Sequence, residues 1–188
     1  MDEVALARHG ESETSAHGIV GGDAPLTEAG REQARELARW LRDFPIEVCI
    51  ASTARRARET AEIAVEGRGI RVETDPDLGE IGFGCFEGDS LASYRAWVEQ
   101  HAPDQAPDGG ETRVATLRRF ACAFRRILSR PERHALVVAH GLTIRSVLDV
   151  RPRPIVADAA YGRGVRVTRS QLEAAVERLE AWCEAPAW

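Results

Sequence analysis

Short apolar runs alternate along the chain with longer segments whose apolar residues recur at helical spacing. Four runs have the length and composition of β-strands, at residues 4–7, 46–51, 70–73 and 135–139. All but the third are almost continuously apolar, which is typical of strands that are covered on both faces. The pattern therefore predicts a sheet that is buried on both sides.

Three further segments repeat their apolar positions with the period of an α-helix. In residues 28–44 the apolar positions follow the spacing i, i+3, i+4, i+7 from Ala34, and Thr27 is a suitable N-cap. Residues 117–128 and 172–182 carry similar apolar stripes. Because strands and helices alternate at these lengths, we predict an α/β fold with a mainly parallel sheet.

The stretch at about residues 82–110 is less regular, since it contains several Gly, Pro and Asp residues. We predict an irregular excursion over one end of the sheet, with a short helix near residues 94–99. Residues 164–168 are a candidate final strand, and Ser170 is a candidate cap of the last helix. A chain of 188 residues without an internal repeat or linker fits a single domain over 1–188.

Composition narrows the possible partners. The charge is −5, from 25 basic and 30 acidic residues, which argues against a nucleic-acid partner bound by phosphate neutralisation. Lys and Asn are absent, so every basic side chain apart from histidine is Arg. No apolar run approaches the roughly 20 residues of a membrane helix, and no leader pattern precedes the first strand. We therefore expect a soluble, cytoplasmic protein without a membrane partner.

The four cysteines are far apart and form no C-x-x-C pair. This spacing disfavours a zinc ribbon or a thioredoxin-like site. We expect all four to be buried thiols.

Two of the predicted core strands are followed by histidine and glycine. The first reads Arg8-His9-Gly10 and the second His140-Gly141. Ligand sites of open α/β sheets lie at the carboxyl ends of the strands, so both imidazoles should emerge at that edge. Glycine after each histidine permits a sharp turn and close approach of a ligand. Either histidine alone could be a strand end with a satisfied hydrogen bond, but the pair favours a site.

Two more segments carry candidate chemistry. Residues 52–61 follow a predicted strand and open a helix rich in Arg, where cations face the positive end of the helix dipole. An anion bound at that edge would make the positive charge of Arg56 favourable at this position. Arg55 and Arg58 are expected to be solvated. Glu80 lies among small and apolar residues in a loop, an environment that suits a proton donor.

Together these segments resemble the histidine phosphatase superfamily, also called phosphoglycerate mutase-like, and in particular its small phosphatase-type members. The resemblance spans about residues 4–148. Six motifs occur in the family's order: R-H-G at 8–10, L-T-x-x-G at 26–30, S-x-x-x-R-A-x-x-T-A at 52–61, L-x-E-x-x-F-G-x-x-E-G at 78–88, P-x-G-G-E at 107–111 and H-G at 140–141.

The resemblance implies a three-layer αβα sandwich with helices on both faces of the sheet. It also implies that His9 is the nucleophile and forms a phosphohistidine. Arg8, Arg56 and His140 would hold the phosphoryl oxygens, with Gly141 beside them. Glu80 would give a proton to the leaving oxygen and later take one from water. Neither a metal nor another cofactor is required.

The chain departs from the family pattern at a few positions. Many relatives place an Asn in the loop after R-H-G to touch phosphate, and Ser15 stands about there in this chain. Glu111 is open to two interpretations, since it could orient the pocket or serve at the loop end as a helix cap. The resemblance fades after Asp149.

The resemblance favours a metal-independent phosphomonoesterase that hydrolyses a small phosphorylated metabolite. A phosphoglycerate mutase-type phosphotransferase is the first alternative, although only about thirty residues separate Glu80 from Glu111, which leaves little room for the insertion that shields mutase sites. The second alternative is a weakly catalytic module that binds a phosphate ligand or phosphoprotein. Sugar phosphates, phosphoglycerates, nucleotide-pathway monophosphates and phosphohistidine on a protein all remain open as substrates, and so does the oligomeric state.

Overall fold

The computed structural model describes residues 1–148 and 160–188. The described residues form five strands: β1 (Glu3–Arg8), β2 (Val48–Ala51), β3 (Val72–Thr74), β4 (His134–Ala139) and β5 (Gly164–Thr168). They also form seven α-helices: α1 (Glu13–Ala16), α2 (Glu28–Trp40), α3 (Arg55–Ala64), α4 (Leu91–Val98), α5 (Arg113–Leu128), α6 (Gly141–Leu148) and α7 (Arg169–Glu184).

The strands form one sheet in the order β3-β2-β4-β1-β5. The first four are mutually parallel, and β5 runs antiparallel to β1. This arrangement confirms the predicted α/β fold with a mainly parallel sheet. The register pairs Arg8 of β1 with Ala139 of β4, so His9 and His140 follow side by side at the carboxyl edge.

Helices cover both faces of the sheet, which confirms the three-layer architecture. On one face, α2 and α3 contribute buried residues such as Leu37 and Ala61 to the core. On the other face, α5 and α7 contribute buried side chains such as Phe120 and Leu172. β1 and β4 are buried along almost their whole length, which explains why their sequences are nearly continuously apolar.

Helix starts depend on short polar side chains, and one predicted cap is wrong. Thr27 caps α2 as predicted, because its hydroxyl accepts a hydrogen bond from Gly30 N–H. The cap of α7 is Thr168 rather than Ser170. β5 ends at Thr168, and the Thr168 side chain forms a capping box with Gln171. The helix therefore begins at Arg169, and Ser170 already lies within it.

The irregular segment forms a small apolar layer beside the sheet edge. It contains a 3-10 turn at Gly84–Phe86 and then α4, which starts earlier than predicted because Ser90 caps it. Tyr94 of α4 packs edge-on against Phe83, with ring centroids 4.8 Å apart. Val20, from the loop after α1, is buried in the same cluster. The segment therefore supplies an apolar wall close to the ends of β1 and β4.

The cysteines divide into two kinds. Cys49 and Cys183 are buried as predicted, and burial raises the pKa of the Cys49 thiol to about 12. Cys85 and Cys122 are exposed, so the prediction was wrong for them. Cys85 lies in the 3-10 turn, and Cys122 faces solvent from α5. No helix in the described part of the chain is long and apolar enough to cross a membrane.

Candidate active site

His9 directly follows β1 and is 3% exposed. Its Nδ1 lies 2.7 Å from Gly10 O, and a carbonyl oxygen can only accept, so the proton is on Nδ1. The lone pair is therefore on Nε2. Burial, followed by the charge of Arg56, lowers the pKa of His9 to about 3. His9 is a neutral imidazole with a nucleophilic nitrogen at neutral pH.

Gly10 is required by helix packing rather than by a ligand. A Cβ on Gly10 would lie 2.4 Å from Gly30 O of α2, so a larger residue would push the helix away. Gly10 N–H donates to Thr60 Oγ1 at 2.9 Å, which ties the turn to α3. The predicted close approach at this glycine is thus made by protein backbone.

Arg56 reaches the site from the first turn of α3 and is 7% exposed. Its Nε–H donates to His9 Nε2 at 3.3 Å, and its NH1 donates to Gly22 O at 2.8 Å. Its NH2 lies 3.5 Å from His140 Nδ1. The guanidinium therefore lies directly in front of the nucleophilic nitrogen.

The other two arginines in this turn lie outside the site, as predicted. Arg55 is exposed and donates to Glu59 at 2.7 Å, and Arg58 is exposed. Ala54 gives α3 no side-chain cap, but Asp23 Oδ1 accepts the Arg55 N–H. A carboxylate therefore offsets part of the positive charge at the start of the helix.

His140 follows β4 and is fully buried. Its ring centroid is 5.1 Å from that of His9, and its Nε2 lies 2.8 Å from Ser52 Oγ. Burial, followed by the neighbouring His9 and Arg56, holds the pKa of His140 well below its usual range. When Ser52 donates to Nε2, the Nδ1–H of His140 faces the Glu80 carboxylate 3.9 Å away; when Ser52 accepts from Nε2, Nδ1 accepts from Arg56 NH2.

Arg8, the last residue of β1, completes the cationic side of the site. Its guanidinium stacks over the ring of Tyr161, with Cζ 3.7 Å from the ring centroid. Tyr161 also lies 5.7 Å from the His9 ring. Gly141, the first residue of α6, lies beside Arg8. A Cβ on Gly141 would lie 3.5 Å from Arg8 Cζ. Sequence reasoning missed Tyr161, since it stands in a segment without a recognisable motif.

Glu80 lies opposite the arginines and is accessible from the cavity. Its Oε2 is 3.9 Å from His140 Nδ1, and 23% of its side chain is exposed. Its Oε1 accepts the N–H of Ile81 at 3.0 Å, which restricts the carboxylate to one orientation. The Glu80 carboxylate therefore faces both the cavity and solvent.

A partly buried clamp holds the loop that carries Glu80. Arg119 of α5 donates to three consecutive loop carbonyls, at 2.9 Å to Asp77, 2.7 Å to Gly79 and 2.8 Å to Glu80. Glu111 pairs with Arg119 at 2.8 Å and accepts the Gly82 N–H. Because Thr112 caps α5, the structure favours the orienting interpretation of Glu111 over the capping one.

Ser15 lines the cavity, but its hydroxyl is already engaged. It accepts the Ser12 N–H at 2.8 Å within the capping box of α1, and it donates to Ser12 O. A phosphate contact from Ser15 stays a prediction, and it competes with these bonds.

These residues border one cavity at the carboxyl edge of the sheet. Its polar end is formed by Arg8, His9, Arg56, Glu80, Gly141 and Tyr161. Its apolar side is formed by Ile19, Val20, Ile81, Phe83, Leu91 and Leu142. His140 is not among the residues that line the cavity and has no exposed surface, so its predicted contact with a phosphoryl group stays a prediction. Across residues 1–148 and 160–188, no group of three or more His, Cys, Asp or Glu side chains could hold a metal ion.

Two guanidinium groups beside a neutral imidazole and a carboxyl group define a site for phosphoryl transfer. The model of the histidine phosphatase superfamily, branch 1, matches residues 4–151, and the chain belongs to this family.

The chain is similar to proteins of several activities. It is 34% identical over 150 residues to the adenosylcobalamin/alpha-ribazole phosphatase of Salmonella typhimurium, covering 72% of each chain. It is 34% identical over 154 residues to a probable phosphoglycerate mutase GpmB of Erwinia tasmaniensis, covering 77% of this chain and 72% of that protein.

Solved structures agree with this fold. Bacillus stearothermophilus YhfR superposes with a TM-score of 0.76 at 30% identity, covering 87% of this chain and 89% of the other. The mycobacterial glucosyl-3-phosphoglycerate phosphatase superposes with a TM-score of 0.72 at 26% identity, covering 88% and 89%. Sequence and fold thus both place the chain in the histidine phosphatase superfamily.

Proposed function

We propose that the protein is a metal-independent phosphomonoesterase that hydrolyses a small phosphorylated metabolite through a phosphohistidine on His9. The observation that carries this proposal is the neutral His9 Nε2 directly beside the Arg56 guanidinium. A neutral imidazole supplies the lone pair, and the cation neutralises the phosphoryl oxygens that the lone pair must approach.

The first half-reaction transfers the phosphoryl group to the enzyme. His9 Nε2 attacks phosphorus, the N–P bond forms, and the ester P–O bond breaks. The leaving oxygen takes the proton of Glu80. An entering phosphoryl group takes the place of His9 Nε2 as the partner of Arg56 Nε, so Arg56 keeps a hydrogen bond throughout.

The second half-reaction returns the enzyme to its starting state. Glu80 takes a proton from water, the water oxygen attacks phosphorus, and the N–P bond breaks. Inorganic phosphate leaves and His9 is neutral again. The partial exposure of Glu80 supports hydrolysis, because water can reach this carboxylate.

Similarity to a probable phosphoglycerate mutase keeps mutase activity as a second candidate. In that case a second substrate hydroxyl, rather than water, would accept the phosphoryl group from His9. The two reactions differ in product. Isomer formation without release of inorganic phosphate would replace the proposed hydrolysis.

Hydrolysis of p-nitrophenyl phosphate in excess EDTA tests the proposal. We expect turnover in EDTA and its loss in His9→Ala, with His17→Ala as the control because His17 is exposed. Turnover that needs added Mg²⁺ or Zn²⁺ would refute the metal-independent mechanism. Unchanged hydrolysis by His9→Ala would remove His9 from it.

A further inference from the structure

Arg113, the first residue of α5, is an almost fully buried arginine, with 8% exposure. Its Nε is buried and has no hydrogen-bond partner in the described part of the chain. No carboxylate forms an ion pair with it within residues 1–148 and 160–188. Its recorded contact is with the Trp188 ring, whose centroid lies 5.7 Å from its Cζ.

This environment is unfavourable for a cation. A buried cation without an ion-pair partner is costly, and the ring contact at 5.7 Å offsets only a fraction of that cost. The start of α5 adds the positive end of the helix dipole. Burial lowers the pKa of Arg113, whereas Tyr94 and Glu80 nearby raise it. A bound anion would reverse each unfavourable contribution.

Arg113 lines the same cavity as the phosphoryl-transfer residues. Tyr94 and Val98 of α4 lie next to it in the cavity wall, and Glu80 is close enough for its charge to act on the guanidinium. Apolar side chains, including Ile81 and Phe83, line the same cavity. Arg113 and the residues around His9 therefore face one cavity that a single ligand can occupy.

We propose that Arg113 binds a second anionic group of the substrate, a carboxylate or a second phosphoryl group, while Arg8 and Arg56 hold the group that is transferred. This assignment rests on the proposed function, because it names the substrate class of the same site. A substrate whose distal end is neutral leaves Arg113 without a counter-charge. The enzyme thus selects phosphomonoesters that carry a further negative charge.

A matched set of aryl phosphates tests this selection. The neutral member is 4-carbamoylphenyl phosphate. The anionic members are 3- and 4-carboxyphenyl phosphate, which carry a carboxylate, and 1,4-phenylene bisphosphate, which carries a second phosphoryl group. Comparing them distinguishes binding of a carboxylate from binding of a phosphoryl group. The variants are Arg113→Gln and Arg113→Lys, with Arg118→Gln as the control. Arg118 lies on the same helix and is exposed, so its replacement changes the net charge equally.

We expect Arg113→Gln to lower kcat/KM for at least one anionic ester by about tenfold to a hundredfold relative to the carbamoyl ester. This range corresponds to the loss of one charged hydrogen-bonding partner. The loss should be mainly in KM, Arg113→Lys should recover part of it, and Arg118→Gln should keep the wild-type ratio. A loss confined to the carboxylates, or to the bisphosphate, identifies the group that is bound.

An unchanged ratio in Arg113→Gln would overturn the assignment while leaving the proposed function intact, provided that hydrolysis still depends on His9. If Arg113→Gln does not fold, inhibition of the wild-type enzyme decides. We expect 3- or 4-carboxyphenylphosphonate to inhibit more tightly than 4-carbamoylphenylphosphonate, and equal inhibition by all three would overturn the assignment.

Discussion

At the residue scale, the chemistry depends on which nitrogen of each histidine carries the proton. Backbone sets the tautomer of His9, because Gly10 O accepts from Nδ1. The tautomer of His140 follows the direction of its hydrogen bond with Ser52 Oγ, since a hydroxyl can either donate to Nε2 or accept from it. Ser52 opens the S-x-x-x-R motif, so its position was visible in the sequence. Its role was not, because the contact joins residues 88 positions apart.

Replacing Ser52 by Ala should reduce kcat roughly tenfold. The change leaves the buried His140 Nε2 without its partner, and a lost buried hydrogen bond is worth about 1 to 3 kcal/mol. The measurement is kcat and KM for p-nitrophenyl phosphate, with the exposed Thr53→Ala as the control. If both variants retain wild-type kcat, Ser52 does not orient His140.

His9 also makes stability depend on pH. Its pKa is about 3 in the folded protein and near 6.5 in an unfolded chain, so below pH 6.5 the unfolded state binds the proton first. Stability should therefore fall by about 1.4 kcal/mol per pH unit for this group as pH drops from 6.5 towards 3. His140 acts in the same direction.

Urea unfolding between pH 4 and 7 measures this dependence. We expect His9→Asn to have a shallower pH dependence than the wild type, because one of the two groups is removed. The exposed His17→Asn should retain the wild-type slope. Equal slopes for His9→Asn and the wild type would show that folding does not lower the pKa of His9.

At the element scale, α5 contributes more to the site than its apolar stripe indicates. The stripe predicted correctly that the helix packs on the sheet. The polar face carries Arg119, which binds the three carbonyls of the Glu80 loop and pairs with Glu111. One helix thereby positions Glu80, the proposed proton donor.

We expect Glu111→Gln to lower kcat about tenfold while KM changes little. The clamp orients Glu80, so the loss should grow as the leaving group becomes poorer and needs the proton more. The measurement compares phenyl with p-nitrophenyl phosphate, and Arg118→Gln is the control. Equal losses for both esters would indicate a structural effect alone.

Glu80→Gln should show the same leaving-group dependence, and the double variant should lose little more.

The junction of β1 with α2 leaves no room for a side chain. Gly10→Ala would place Cβ 2.4 Å from Gly30 O, and both partners are backbone. We therefore expect a loss of stability of about 2 kcal/mol or more, since overpacked backbone must shift. Thermal unfolding measures it, with Gly18→Ala as a comparison. A Cβ on Gly18 meets no atom within 4 Å, although its φ is +66°. A smaller loss for Gly10→Ala than for Gly18→Ala would contradict this packing.

At the scale of the whole molecule, periodicity and parallel pairing explain how much could be predicted. Buried strands and amphipathic helices leave a regular pattern, so a mainly parallel sheet covered on both faces could be predicted from it, as could the meeting of His9 with His140. Thr168 could not be distinguished from Ser170 as a cap, because both are suitable residues and only the end of β5 decides. Tyr161, Arg113 and Arg119 act through long-range contacts, which no local pattern records.

The central claim is that one imidazole, His9, carries the phosphoryl group. Rapid quench of the enzyme with a ³²P-labelled substrate, followed by peptide mapping, measures this most directly. We expect an adduct on His9 that is labile to acid and stable to alkali, and none in His9→Ala. An adduct with the opposite stabilities, or one on another residue, would contradict the mechanism.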